Sequence, residues 1–133
     1  MSQCLDYAVA VMAAPYAHQA NHSALAFARA LVTEGHRLRA VFFYQDGVTS
    51  ANGLMAPPQN EQRIVEEWQV IAKENACSLL VCVAAGLRRG ILDEREAQRH
   101  GLPASSLAEG FELAGIGQLV HMSASVDRLI TFV

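Results

Sequence analysis

The stretch Leu79-Leu80-Val81-Cys82-Val83-Ala84-Ala85-Gly86-Leu87-Arg88-Arg89-Gly90 decides the reading of this chain. Its apolar run lies between polar Ser78 and small Ala84, the pattern of a strand buried on both faces of a parallel sheet. Ligands and reactive groups collect at the carboxyl ends of such strands, and Cys82 stands at one. If the chain from Ala84 to Arg89 coils into a short helix, the unpaired N–H groups of its first turn carry partial positive charge towards the sulfur. Arg88 and Arg89 add two full charges a few residues on. Both effects favour the thiolate, so the thiol pKa is expected below its free value of about 8.5. Gly86 and Gly90 are expected to leave room for a partner's backbone or sulfur to approach. The bland alternative is that Cys82 is inert packing, as cysteines inside apolar strands commonly are.

Upstream, Tyr7 to Ala13 is a second apolar run and reads as the first buried strand, followed by the loop Ala14-Pro15-Tyr16-Ala17-His18-Gln19. Asn21 or Ser23 is placed to cap a helix in which Ala24, Phe27, Ala28 and Leu31 keep the i, i+3, i+4, i+7 spacing, and Gly35 ends it. His36 to Phe43 reads as a strand. Tyr44-Gln45-Asp46-Gly47 is a turn signal, Val48 to Leu54 one helical turn, and Ala56-Pro57-Pro58-Gln59 a loop. Asn60 is expected to cap a helix to about Asn75 with Ile64, Trp68, Ile71 and Ala72 facing inward. Downstream, Asp93 with Glu96 three residues later forms a capping box for a short helix to about His100, and Ser106 with Glu109 repeats that signature. Phe111 to Leu113 reads as a short strand, Ile116 to Ser123 as a helix, and Asp127 to Phe132 as the closing strand. Strands alternating with helices call for right-handed crossovers, hence a three-layer α/β/α fold with a mostly parallel five-stranded sheet.

The chain has 133 residues and reads as one domain over 1–133, large enough for a core without disulfides or metal. Apolar residues make up 52% and charged ones 17%, which argues against disorder and suits an unusually apolar surface or a subunit interface. A net charge of −3 gives no electrostatic footprint for a phosphate backbone, so direct nucleic-acid binding is disfavoured. No apolar stretch approaches the ~18–20 residues of a membrane span. Met1 to Asp6 lacks the basic start of a signal peptide, and a cytoplasmic location is expected.

Three cysteines, Cys4, Cys77 and Cys82, with no C-x-x-C fit neither a disulfide framework nor a four-ligand zinc site. His18 and His22 share a spacing that metal ligands use, but no third ligand follows, and surface histidines are the better reading. His36, His100 and His121 carry no motif. Gly115-Ile116-Gly117 lacks the third glycine of a dinucleotide loop, and neither a P-loop nor a G-x-S-x-G is present. Asp46 with Asp93 or Glu94 is a conceivable carboxylate pair, though caps and turns explain all three. Tyr16 and Tyr44 each follow a predicted strand and are candidates for the rim around Cys82, though partly buried aromatics with a wet hydroxyl are the better reading.

The segment Val81 to Ile91 resembles the active-site segment of the TusD/DsrE family of sulfur-relay proteins, whose members typically read C-V-A-A-A-L-R-R-G there. Phe42-Phe43-Tyr44-Gln45-Asp46-Gly47-Val48, Ala51-Asn52, Ala14-Pro15-Tyr16 and Gly110 to Leu119 also resemble family stretches, in family order, so the resemblance runs from about Tyr7 to Phe132. It implies a sulfurtransferase subunit in which Cys82 accepts sulfane sulfur as a persulfide from a TusA-like donor and passes it to a TusE- or DsrC-like acceptor. In the tRNA branch of the family the sulfur ends in 2-thiouridine at the wobble position. It also implies a heterohexamer with TusB- and TusC-like subunits and no cofactor or metal. Gly86 departs from the usual alanine and is expected to loosen the loop. Arg88 and Arg89 as thiolate and anion stabilisers follow from charge alone, not from the family. Two alternatives stay open: a DsrE-type role in sulfur oxidation, and a scaffold subunit with a silent Cys82.

Overall fold

A computed structural model describes residues 3–133. Strands β1 (Asp6–Val11), β2 (Arg37–Phe43), β3 (Ser78–Cys82), β4 (Phe111–Ala114) and β5 (Arg128–Phe132) form one sheet in the order β4-β3-β2-β1-β5. Every ladder among the described residues is parallel. Their carboxyl ends therefore share one edge, and Cys82 closes β3 between β2 and β4, with Ala114 level with it on β4. The helices are α1 (Ala20–Thr33), α2 (Ile64–Asn75), α3 (Val83–Arg88), α4 (Glu94–Arg99) and α5 (Ile116–Ser125), with a 3-10 segment at Gln45–Ala51.

Alternation along the strands sorts the core into two faces. Val9, Val11, Val41, Phe43, Leu79 and Val81 turn towards α1 and α2, where Trp68 meets Phe43 edge-on at 5.5 Å and Phe27 meets Phe132 at 5.7 Å. Ala40 and Leu80 point the other way and line a cleft with Gln118, His121 and Met122 of α5. Cys82 is in step with Leu80. The architecture is thus the expected three layers, with α5 a thin second cover in which Met122 is buried while Ile116 and Val120 stay exposed.

Local chemistry shifted several boundaries. Asn21 does not cap α1: the helix begins at Ala20, and Asn21 is buried on its inner face in step with Ala24, Leu25 and Ala28. α2 starts at Ile64 rather than after Asn60, because the Tyr16 hydroxyl takes the Ile64 N–H (3.4 Å) and donates to the Gln62 carbonyl (2.7 Å), fixing the first turn there. The predicted turn at Val48–Leu54 is displaced to Gln45–Ala51, where Gly47 crosses so close to Val11 that a Cβ would lie 2.1 Å from its carbonyl oxygen. α4 has its predicted cap, with Asp93 Oδ1 accepting the Glu96 N–H at 2.9 Å. The second cap signature makes no helix. Ser106 spends its hydroxyl on the Gly90 carbonyl and the Leu92 N–H, and Leu107 bridges antiparallel to Asn52, so this segment is stitched between two loops instead of coiling.

Candidate functional site

Cys82 is the N-cap of α3, with φ −58° and ψ 118°, and makes no side-chain capping bond. The strand delivers it to the carboxyl edge, and the helix begins at once because Val83, Ala84 and Ala85 follow without a breaker. The amides of that first turn are therefore directed towards the sulfur side of the junction. Contrary to the expectation of a reachable thiol, Cys82 is only 4% exposed in the isolated chain.

The two arginines sit at the other end of α3 from Cys82. Six residues of helix, about 9 Å of rise, separate the N-cap from the end where Arg88 and Arg89 sit. Arg89 is also engaged there: its Nε donates to Asp46 Oδ1 at 2.8 Å and its Nη1 to the Ala85 carbonyl at 3.0 Å. It fastens the 3-10 segment to α3, and Asp46 is paired with an arginine, not with another carboxylate. Gly86 likewise serves the fold: a Cβ there would come within 2.6 Å of the Ile91 carbonyl oxygen, and Ile91 donates its N–H back to Gly86 at 2.8 Å. The room it leaves is filled by the chain's own return, and Gly90, at φ +75°, turns that return.

Tyr44 is half-buried beside the site strand, its ring 6.4 Å from Phe42, and begins the 3-10 segment that packs on α3 and β3. Tyr16 lies in the loop after β1, a strand two places from β3 in the sheet order, and its hydroxyl serves the start of α2. His18 is exposed in the loop before α1 and His22 is half-buried in its first turn. His36 accepts the Leu5 N–H at Nδ1 (3.0 Å) near the amino edge.

The other thiols are far from this edge. Cys4 is exposed before β1, and Cys77 is buried before β3, both at the amino end of the sheet. Burial pushes the Cys77 thiol up to about 12, so it stays protonated and unreactive near neutrality. One consequence concerns stability. Below about pH 9 the folded and unfolded chains both hold this proton; above it the unfolded chain releases the proton while the folded chain keeps it. Folding should therefore weaken between pH 9 and 12 by up to about 1.4 kcal/mol per pH unit from this group. Urea midpoints of Cys77→Ala should show a correspondingly shallower alkaline decline than those of the parent chain.

Sequence reasoning missed three features. Asn21, Ser50 and Trp68, all fully buried, form a polar hub in which Trp68 Nε1 donates to Asn21 Oδ1 at 2.9 Å and Asn21 Nδ2 donates to Ser50 Oγ at 3.0 Å. The signal was Asn21 at apolar helical spacing opposite a tryptophan whose N–H needs an acceptor. The Asp46–Arg89 fastening had no signal in sequence. The third is Glu96, which lines a cleft of about 200 Å³ with Val83 and Ala114, the residues next to Cys82 along the chain and across the ladder.

The fold and the site together define a parallel α/β domain with a cysteine at a strand-to-helix junction. The profile of the DsrE/DsrF-like family matches residues 6–132, and the chain belongs to that family. It is 48% identical over 128 residues to the Sulfurtransferase TusD of Serratia proteamaculans, covering 96% of this chain and 99% of that one. Identity to the Putative sulfurtransferase DsrE of Allochromatium vinosum is 42% over 128 residues, covering 96% and 98%. The crystal structure of the ychN protein from E. coli superposes with a TM-score of 0.71 at 20% identity, over 98% of this chain and all of that one, which shows the shared fold. Sulfur transfer is the activity of this chain's class.

Proposed function

We propose that this chain carries sulfane sulfur as a persulfide on Cys82 and relays it to a second protein's thiol, the TusE/DsrC-like acceptor, with a TusA-like protein as donor. The observation that carries the reading is the position of Cys82: among the described thiols it alone stands at the carboxyl edge, at the start of a helix. The step is an exchange. The Cys82 thiolate attacks the outer sulfur of the donor persulfide, a new S–S bond forms as the donor's breaks, and the donor leaves as a thiolate. No net oxidation occurs and no cofactor is needed. The product's outer sulfur lies about 2.05 Å beyond Sγ.

The destination we favour is 2-thiouridine at the tRNA wobble position, because the chain is 48% identical to a protein named Sulfurtransferase TusD and 42% to one named DsrE. TusB- and TusC-like subunits are the proposed partners, and the exposed Ile116 and Val120 are consistent with a covered surface in such a heterohexamer. The location we propose is the cytoplasm; no described helix is long and apolar enough to cross a membrane. The burial of Cys82 favours a second reading, a scaffold subunit whose thiol never loads.

Peptide mapping after incubation with a persulfurated donor separates the two. The relay predicts one added sulfur on the peptide holding Cys82; sulfur only on Cys4 or Cys77, or on none, removes it. Loss of wobble thiolation in a deletion strain is the expected result for the tRNA branch, and unchanged thiolation would turn the assignment to sulfur oxidation.

A further inference from the structure

Among the described residues, three that are not glycine take a positive φ: Tyr16 at 69°, Gln45 at 50° and Ala76 at 50°. Side chains of L residues resist this region. Two of the three have a reason in the fold. Ala76 is the left-handed C-cap of α2, with its N–H on the Ala72 carbonyl, and the Tyr16 hydroxyl bridges Gln62 and Ile64 at the start of the same helix. The Gln45 side chain has no such task. It stands first inside the turn that the Gly47 N–H closes on the Tyr44 carbonyl at 2.9 Å, a place glycine fills most readily when φ is positive. The turn is held at three points: Tyr44 donates its N–H to the Val11 carbonyl at 3.0 Å, Gly47 lies against the Val11 backbone, and Asp46 accepts from Arg89 at 2.8 Å. These contacts fix the backbone path and keep the strain in place, but none of them calls for a glutamine. The Gln45 side chain is exposed, and its amide makes no hydrogen bond among the described residues.

The place of this residue matters. β2 and β3 run in step, with Phe43 beside Val81, so Tyr44 is level with Cys82 and Gln45 is the next residue past it on the carboxyl edge. Cys82 is 4% exposed, so a small persulfide in solution meets almost no sulfur surface, and transfer requires a macromolecule held at this edge. We propose that Gln45 is a docking contact of the relay, its amide hydrogen-bonding the main chain of the segment on which the protein donor carries its persulfide. This deepens the persulfide reading of Cys82 and rests on it. A primary amide offers an N–H donor and a carbonyl acceptor, the same pair as a peptide unit, so it suits a partner's backbone whatever its side chains. The turn presents that amide on a backbone already fixed before the partner arrives, which lowers the ordering cost of the contact. Strain kept at an exposed position is then retained for binding, where glycine would relieve it and lose the amide.

The test pairs stability with transfer on the full chain. Gln45→Gly should melt no lower than the parent and up to about 4 °C higher, because the positive φ suits glycine. With a purified, persulfurated TusA-like protein as donor, its apparent KM for loading Cys82, read by intact mass against donor concentration, should rise about three- to tenfold, the effect of one lost hydrogen bond. The rate at saturating donor should stay near the parent's. Gln45→Ala keeps the strain and removes the amide, so it should raise KM equally; Gln45→Asn keeps an amide and tolerates the left-handed region, so it should recover most of the loss. A parent KM in Gln45→Ala overturns the proposal, even if Gln45→Gly raises it, since the flexible turn would then be the cause. A Gln45→Gly chain that melts well below the parent overturns it as well, because the fold itself would then require the side chain. A parent chain that never loads Cys82 overturns the persulfide reading, and that result is visible before any Gln45 variant is made.

Discussion

Cys82→Ser is expected to abolish sulfur loading completely while leaving the fold intact. A serine hydroxyl does not ionise near neutrality and forms no persulfide, so the loss is total rather than graded. Stability should change little, because two effects oppose. Placing a hydroxyl at a position 4% exposed costs about 1–3 kcal/mol if it finds no partner. Position 82 is, however, the N-cap of α3, where serine is among the preferred residues and its oxygen accepts the Ala84 or Ala85 N–H, worth about 0.5–2 kcal/mol. The thermal midpoint should therefore stay within about 5 °C of the parent. An undiminished sulfur adduct on the variant would move the carrier to Cys4 or Cys77. Alkylation of the native parent chain should run in the order Cys4, Cys82, Cys77, since the first is exposed, the second covered at a helix start, and the third buried and held protonated.

The site strand, its cysteine and the parallel sheet were legible because each is written in a local pattern: a short apolar run, a helix with no breaker after it, and strands separated by amphipathic stretches. The Asp93 cap was legible for the same reason. What escaped were placements set by contacts distant in sequence. Nothing near Arg89 announces that its guanidinium will meet Asp46, 43 residues away, so two charges close in sequence were read as close to the sulfur. The Ser106 signature failed because a capping box describes only what a free segment prefers; here the segment's donors and acceptors were claimed by Gly90, Leu92 and Ala51. Gly86 was read as space for a visitor, whereas the visitor is the Ile91 carbonyl of the same chain. The burial of Cys82 belongs to the same class, since burial at a strand end depends on how neighbouring loops close over it.

Trp68→Ala should be among the most destabilising single changes in this chain, at about 3–5 kcal/mol. The indole is fully buried, meets Phe43 edge-on at 5.5 Å, and gives its N–H to a buried asparagine, so truncation opens a cavity and strips Asn21 of its donor at once. The two losses can be separated. Trp68→Phe keeps much of the ring volume and removes the donor, leaving Asn21 Oδ1 buried without a partner, and should cost about 1–3 kcal/mol. If the polar hub is the cause, Asn21→Leu combined with Trp68→Phe should be less destabilising than the sum of the two single changes, because the unpaired oxygen disappears. Strict additivity in urea denaturation would assign the cost to packing alone. The hub joins the β1 loop through the Ala13 carbonyl (3.4 Å), α1 through Asn21, the 3-10 segment through Ser50, and α2 through Trp68. Because the 3-10 segment is fastened in turn to α3 by Asp46 and Arg89, loosening the hub should also raise the alkylation rate of Cys82, while Cys4 at the opposite edge keeps its parent rate.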